Sequence, residues 1–146
     1  MLSPGKWHER VPHERRANLE YRKKLLTLAA GDLLHQKALR HACSQDILFY
    51  INTFVWTYDP RLTGRARVGP WICYDYQEAI VRKILWCVER RKDAVCQKSK
   101  DMGLTWLFLI VMDWLNRSEP WHQSLCISKS AEAVEHESPN SLFWKI

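Results

Sequence analysis

The segment from Lys98 to Thr105 contains residue types that bind phosphate groups. Two lysines, Lys98 and Lys100, precede a glycine, Gly103, which stands directly before an apolar stretch. In the loop pattern GxxxxGK[ST], placed between a strand and a helix, backbone N–H groups and the helix N-terminus hold anionic oxygens. Aligned on Gly103 and Thr105, this segment is a variant of that phosphate-binding loop.

The variant departs from the usual pattern at two positions. Lys98 replaces the first glycine, and Leu104 replaces the usual lysine. A flexible lysine at the start of the loop reaches across it to phosphate oxygens. Thr105 is then expected to bind Mg²⁺ through its hydroxyl, while Gly103 lets the backbone approach the phosphates. The predicted phosphate-binding residues are Lys98, Ser99, Lys100, Asp101, Met102, Gly103, Leu104 and Thr105. The alternative is an ordinary polar turn that starts a buried helix.

A glutamine upstream of this loop supplies a second type of contact. Gln77 follows Tyr74, Asp75 and Tyr76 at the start of a predicted helix. Because a glutamine amide both donates and accepts hydrogen bonds, it can contact both kinds of polar group on an adenine edge. We expect Gln77 to bind adenine, with Trp71 and Tyr74 as a wall against the base.

Taken together, these motifs resemble the N-terminal ATPase region of tailed-phage terminase large subunits. The resemblance covers roughly residues 44–146 and depends on four segments: Asp75-Tyr76-Gln77, the deviant Walker A loop from Lys98 to Trp106, the strand and turn from Cys126 to Lys129, and the tail from Ser138 to Ile146. It implies that Gln77 contacts adenine and that Lys98 is the displaced Walker A lysine. Lys100 occupies a position where family members often carry an arginine near the γ-phosphate.

The resemblance also implies cofactors, partners and a location. ATP and Mg²⁺ are the implied cofactors, and hydrolysis in the intact motor drives packaging of double-stranded DNA. The terminase small subunit and the portal protein are the implied partners, in the cytoplasm of a bacterial host cell. The family carries a Walker B Asp-Glu pair and a C-terminal endonuclease, and neither is found in this sequence. We therefore expect the front part of a motor, without predicting hydrolysis by this chain.

Hydrophobic periodicity predicts the elements that position these residues. Apolar residues at helical spacing predict several helices: two between Arg15 and Cys43 with a break at Gly31-Asp32, one from Gln45 to Trp56 capped by Ser44, one after Asp75, and one from Leu104 to about Asn116. Short strands are predicted at Asp93–Gln97 and Gln123–Ile127, and a final helical stretch after Ser130. Residues 57–75 are predicted to form a connecting loop.

This order predicts an α/β fold. A helical N-terminal lobe and linker, residues 1–68, precedes a partial P-loop ATPase domain, residues 69–146. Two strands joined by a helix form a right-handed parallel unit, so the second part is expected to contain the first part of a parallel P-loop sheet. An incomplete sheet predicts exposed apolar surface.

Composition excludes several classes of protein. The 146 residues are 47% hydrophobic, which argues against a disordered chain. The longest apolar run, Leu104 to Met112, is shorter than the roughly 20 residues of a membrane span, so no membrane partner is predicted. Five widely spaced cysteines fit neither a disulfide framework nor a zinc ribbon. The first 92 residues hold 17 of the 22 basic residues, which fits a phosphate backbone or a solvated helical face equally well.

Two other functions stay open at this point. One is a non-catalytic module that binds DNA or a partner and carries a vestigial phosphate loop. The other is a fragment of a helicase-like translocase, against which Leu104 in place of the usual lysine argues. A metal site at His35, His41 and Cys43 lacks a fourth ligand, and the basic residues Arg61, Arg65 and Arg67 are interpreted as a solvated loop.

Overall fold

The computed structural model describes residues 6–59, 61–99, 102–128, 130–138 and 141–145. The chain is an α/β protein, mostly helical, with a small antiparallel sheet. It divides into two compact units, Met1–Ile72 and Cys73–Ile146. The helices among the described residues lack the length and hydropathy that a membrane span needs.

Three helices form most of the first unit. A 3-10 turn at Trp7–Arg10 precedes α1 (Arg15–Ala29), α2 (Leu33–Gln45) and α3 (Ile47–Phe54). The break predicted at Gly31-Asp32 is confirmed, because the Asp32 carboxylate caps α2 by accepting from the backbone N–H of Leu34 and His35. The apolar faces of the three helices meet in a core. Its buried residues are Val11, Ala42 and Phe49, and the partly buried residues packed against them are Trp7, Tyr21, Leu25, Leu39, Cys43 and Phe54.

The cap of α3 differs from the prediction. Asp46, not Ser44, precedes the helix, and its carboxylate accepts from the Phe49 N–H at 3.0 Å. Ser44 lies inside α2, where its hydroxyl donates to the His41 carbonyl at 2.9 Å. Because Ser44 is still helical, it lacks the extended backbone of a capping residue. Asp46 also accepts from the His8 backbone N–H at 3.0 Å, which ties the 3-10 turn to α3.

A hairpin occupies part of the predicted loop between residues 57 and 75. β1 (Trp56–Tyr58) pairs antiparallel with β2 (Val68–Pro70), with Thr57 opposite Gly69. A Cβ on Gly69 would lie 3.1 Å from the Arg15 guanidinium, so a larger side chain would displace that arginine. The prediction of a loop was wrong for Thr57, Tyr58 and Val68–Pro70, and Trp56, predicted as the last residue of a helix, is the first residue of β1. The aromatic and β-branched residues of β1 favour the paired conformation.

The buried guanidinium of Arg22 connects the elements of the first unit. Arg22 is 3% exposed. It donates to the Asn18 side-chain oxygen at 2.6 Å and to the carbonyls of Asn52, Val55 and Trp71 at 2.8 to 2.9 Å. These bonds tie α1 to the end of α3 and to the residue after β2. Burial lowers the pKa of Arg22 to about 10.

Two long helices dominate the second unit. α4 (Asp75–Glu89) contacts α5 (Leu104–Ser118), and a short α6 (Ala131–Val134) follows. The helices predicted after Asp75 and from Leu104 are confirmed. Their buried apolar side chains are Val81 and Cys87 from α4, and Leu104, Leu107, Leu109, Ile110, Val111, Trp114 and Leu115 from α5. A 3-10 turn at Phe143–Lys145 follows α6.

The two segments predicted as strands of a parallel sheet have no assigned element. Residues 93–97 lie between α4 and the candidate loop, and residues 123–127 follow α5. The two-stranded sheet of the described residues is the hairpin of the first unit. The parallel sheet therefore stays a prediction.

Candidate functional site

Gly103 forms the turn at the start of α5. Its φ of 71° and ψ of 8° lie in the left-handed region, which glycine adopts without a steric penalty. The Gly103 carbonyl accepts the first helical hydrogen bond, from the Leu107 N–H at 3.0 Å. The backbone N–H groups of the first turn of a helix have no intrahelical partner. The N-terminal end of α5 therefore has the backbone arrangement that an anion-binding loop requires.

Thr105 and Leu104, both in this first turn, differ in exposure. Thr105 is exposed, whereas Leu104 is 6% exposed and belongs to the apolar core of the second unit. An ammonium group at position 104 would have to enter that core, at a large desolvation cost. The side chain of Leu104 is therefore part of the core, and only its backbone is accessible to a ligand.

The remaining loop residues divide into described and undescribed positions. Lys98 and Ser99 are exposed and Met102 is half-buried. Lys100 and Asp101, both predicted to contact the nucleotide, lie outside the described residues. Lys98 has no ion-pair partner among the described side chains, so its ammonium group is available to a ligand.

Gln77 joins the start of α4 to the loop before α5. It is 4% exposed. Its side-chain oxygen accepts from the Tyr74 N–H at 3.1 Å, and its side-chain nitrogen donates to the Met102 carbonyl at 3.2 Å. The first bond is the glutamine half of a capping box. Since a glutamine amide has two N–H groups and two lone pairs, each polar atom retains capacity for one further bond.

A pair of stacked tyrosines lies beside Gln77. The rings of Tyr74 and Tyr76 have centroids 5.7 Å apart and planes 8° apart, and the two residues are 67% and 41% exposed. The Tyr76 hydroxyl also donates to the Met102 carbonyl, at 3.4 Å. The pair therefore presents an aromatic surface next to the buried amide.

This arrangement changes the predicted wall for a base. Trp71 is 7% exposed, and its carbonyl accepts from Arg22 in the first unit. The ring that accompanies Tyr74 is that of Tyr76, which sequence analysis did not single out for this role. The signal was the Tyr-Asp-Tyr spacing, because two tyrosines around the first residue of a helix can stack beside its N-terminus.

A further cation lies near the first turn of α5. The Lys145 ammonium is 5.9 Å from the centroid of the Trp106 ring and donates to the Ser141 carbonyl at 2.6 Å. Ser141 is fully buried, and its hydroxyl donates to the His136 carbonyl at 2.8 Å. Burial lowers the pKa of Lys145. Nothing local in the sequence connects Lys145 with Trp106, so this contact was missed.

Magnesium would have few protein ligands here. No group of three or more His, Cys, Asp or Glu side chains among the described residues could hold a metal ion. Mg²⁺ usually keeps several waters and binds through one or two protein oxygens together with substrate phosphates. The exposed hydroxyl of Thr105 fits that role, with the nucleotide supplying the other oxygens.

Comparison of the chain with protein families, with curated proteins and with solved structures finds no match. A functional interpretation therefore depends on the residues of the second unit and on the resemblance of its motifs.

Proposed function

We propose that this chain contains the nucleotide-binding portion of a phage or prophage terminase large subunit, the motor that packages DNA by ATP hydrolysis in the intact protein. The observation that carries the proposal is the hydrogen bond from Gln77 to the Met102 carbonyl. This bond is a direct contact between the predicted adenine-binding residue and the predicted phosphate loop, although Gln77 and Met102 are 25 positions apart in the sequence.

The phosphate end of the proposed site consists of backbone and a displaced lysine. Gly103 opens the turn, the free N–H groups of α5 face a ligand, and the exposed Thr105 hydroxyl binds Mg²⁺. Lys98 supplies the charge that the buried Leu104 cannot. At the other end, Tyr74 and Tyr76 stack on the base, and the remaining hydrogen-bonding capacity of Gln77 selects adenine.

The contacts of residues 123–127 support a parallel P-loop sheet. The Ser124 hydroxyl donates to the Asn116 side-chain oxygen at 3.1 Å, and the Cys126 sulfur lies 3.8 Å from that of Met112. From Ser124 to Cys126 an extended chain advances about 6.6 Å, and from Asn116 back to Met112 the helix covers about 6 Å. The two contacts therefore match an extended segment that runs antiparallel to α5. The intervening Leu125 is 82% exposed.

The exposed face of this segment is apolar. Ile127 is 81% exposed and Val95, in the other predicted strand, is 100% exposed. Parallel sheets are covered on both faces, so these side chains are interpreted as the surface that further strands and helices cover in the intact protein.

The sequence contains no Asp-Glu pair, and we therefore assign nucleotide binding, not hydrolysis, to this chain. Double-stranded DNA, the small subunit and the portal protein are the proposed partners, in the cytoplasm of the bacterial host.

Titration with a fluorescent ATP analogue and Mg²⁺ tests the proposal. Lys98→Ala is expected to weaken binding at least tenfold, while Lys37→Ala, which removes an exposed lysine from the first unit, leaves it unchanged. Gln77→Ala is expected to reduce the preference for ATP over GTP. ATP affinity that is unaffected by Lys98→Ala and Gln77→Ala would refute the site.

The same titration separates the second candidate function. A non-catalytic module with a vestigial loop would bind DNA in a salt-sensitive manner and would show no affinity for ATP. Three consecutive exposed cations at the end of α4, Arg90, Arg91 and Lys92, favour DNA as a partner under either proposal.

A further inference from the structure

The C-terminal half of α4 carries a basic and aromatic face. Lys83, Trp86 and Arg90 share one side of the helix, because residues three and four apart are neighbours on its surface. Trp86 is 40% exposed. The Lys83 ammonium lies 3.9 Å from the centroid of its ring, and the Arg90 guanidinium carbon 5.2 Å from it. The Trp86 indole therefore makes cation–π contacts with two exposed basic side chains.

Two more cations follow where α4 ends. The Arg91 N–H donates to the Val88 carbonyl at 3.1 Å, and the Lys92 N–H donates to the Cys87 carbonyl at 2.9 Å. This is the Schellman arrangement, in which the residue at the position of Arg91 adopts left-handed backbone and is usually glycine. Arg91 has a φ of 51°. Arg91 therefore adopts a backbone conformation that favours glycine. Because position 91 is an arginine, Arg90, Arg91 and Lys92 form three consecutive positive charges.

The four cations lack acidic partners among the described residues. Lys83, Arg90, Arg91 and Lys92 are all exposed, and none is within ion-pair distance of a described carboxylate. Other basic residues are paired, for example Arg117 with Asp113 at 2.8 Å. The nearest acids in sequence, Glu89 and Asp93, are exposed as well. The helix C-terminus attracts cations, but it does not require an arginine where glycine fits the turn.

We propose that this face of α4 (Lys83, Trp86, Arg90, Arg91 and Lys92) binds the phosphate backbone of duplex DNA without regard to sequence. Lys83 and Arg90 are separated by about 10 Å along the helix, a length over which a duplex presents about six phosphate charges. Long cationic side chains without fixed partners adapt to such an array, and each releases counterions when it binds. An apolar docking partner is less suited, since the indole is already occupied by Lys83 and Arg90.

The inference does not require the nucleotide site, and takes from the proposed function only that the intact protein handles duplex DNA. Failure of either can therefore be recognised separately. A variant of the α4 face is expected to retain its affinity for ATP, and Lys98→Ala is expected to retain most of its affinity for DNA.

Fluorescence anisotropy with a labelled 30-base-pair duplex between 50 and 200 mM KCl tests the proposal on the full chain. We compare the quadruple variant Lys83→Gln, Arg90→Gln, Arg91→Gln and Lys92→Gln with a control of equal charge, Lys23→Gln, Lys24→Gln, Lys37→Gln and Arg40→Gln. The α4 variant is expected to reduce the slope of log affinity against log salt by about 3 to 4, since each phosphate contact contributes about 0.9. The control is expected to change it by less than about 1.

A single substitution that preserves the fold distinguishes loss of DNA contacts from misfolding of the quadruple variant. Arg91→Gly keeps the turn and is expected to reduce the slope by about 0.9. Equal slopes for the α4 variant and its control would overturn the proposal. So would binding of the full chain to vesicles of anionic lipid with no measurable affinity for the duplex.

Discussion

The side-chain nitrogen of Gln77 donates a hydrogen bond to the carbonyl oxygen of Met102 over 3.2 Å. Gln77 is the third residue of α4, and Met102 immediately precedes the glycine that starts α5. One amide therefore connects the start of α4 to the loop before α5. The proposed nucleotide site depends on this connection between its base end and its phosphate end.

Restoring the conventional lysine of a phosphate loop is expected to damage the protein. Leu104→Lys places an ammonium group where the side chain is 6% exposed, so we expect a loss of about 2 to 4 kcal/mol of unfolding free energy without tighter ATP binding. Leu104→Met, the matched control, is expected to cost less than about 1.5 kcal/mol. Urea unfolding measures both, and equal stability of Leu104→Lys and wild type would contradict the burial argument.

Removing the Arg22 guanidinium is expected to destabilise the first unit strongly. Arg22→Met removes the bonds to the Asn18 side-chain oxygen and to the three carbonyls. The Asn52 carbonyl keeps the Asn18 side-chain donor and the Val55 carbonyl keeps the Trp71 N–H. Hydrogen bonds from a charged group contribute about 1.5 to 3 kcal/mol each before relaxation and water entry. We expect a total loss of about 3 kcal/mol or more by denaturant unfolding. The neighbouring exposed Lys23→Met should change stability by less than about 0.5 kcal/mol, and a similar small effect at Arg22 would refute its connecting role.

The thiol of Cys43 is expected to resist alkylation. Burial, with a smaller contribution from the Asp46 carboxylate, raises the pKa of Cys43 to about 12 from 9.0. At pH 9 iodoacetamide should therefore modify the exposed Cys96 much faster than Cys43, since the thiolate is the reactive form. Mass spectrometry of the labelled peptides provides the measurement, and comparable labelling of the two residues under native conditions would be inconsistent with the structure.

The same shift makes stability depend on alkaline pH. The folded-state pKa of Cys43 lies above its unfolded value, so the stabilising effect is complete below about pH 9 and decreases as the pH rises from 9.0 towards 12. Cys43→Ala is expected to reduce this alkaline loss of unfolding free energy, whereas Cys96→Ala leaves it in place. An unchanged pH profile for Cys43→Ala would count against the assignment.

Glycine at the end of α4 is expected to stabilise the second unit. Arg91 has a φ of 51°, and relief of left-handed backbone is worth about 1 kcal/mol. Arg91→Gly should therefore raise the unfolding free energy by up to about 1 kcal/mol. Arg90→Gly, one position earlier and with a negative φ, should lower it, so stabilisation by both or by neither would contradict the assigned turn.

Helices were predictable because their signals are local. Apolar spacing and the Gly31-Asp32 break located α1 and α2, and the apolar run from Leu104 located α5. The predicted cap of α3 was two residues too early, since Ser44 and Asp46 are both residue types that cap helices. The sequence does not show that α2 extends to Gln45, which leaves Asp46 as the cap.

Long-range contacts were not predictable in the same way. The strands of the hairpin have three residues each and are separated by residues 59–67, so no tight-turn signal connects them. The resemblance predicts that Gln77 and the loop belong to one site, and the bond from Gln77 to Met102 is a contact between them. The contact between Lys145 and Trp106 was not predictable from local sequence, because it depends on how the C-terminal turn packs against α5.

Titration of ¹⁵N-labelled protein with ATP and Mg²⁺, followed by NMR, tests the central claim most directly. We predict that the largest shifts occur at the backbone amides of Gly103, Leu104 and Thr105 and at the side-chain amide of Gln77, and that Lys98→Ala weakens them together. Shifts confined to the first unit, or none at millimolar ATP, would contradict a nucleotide site between α4 and α5.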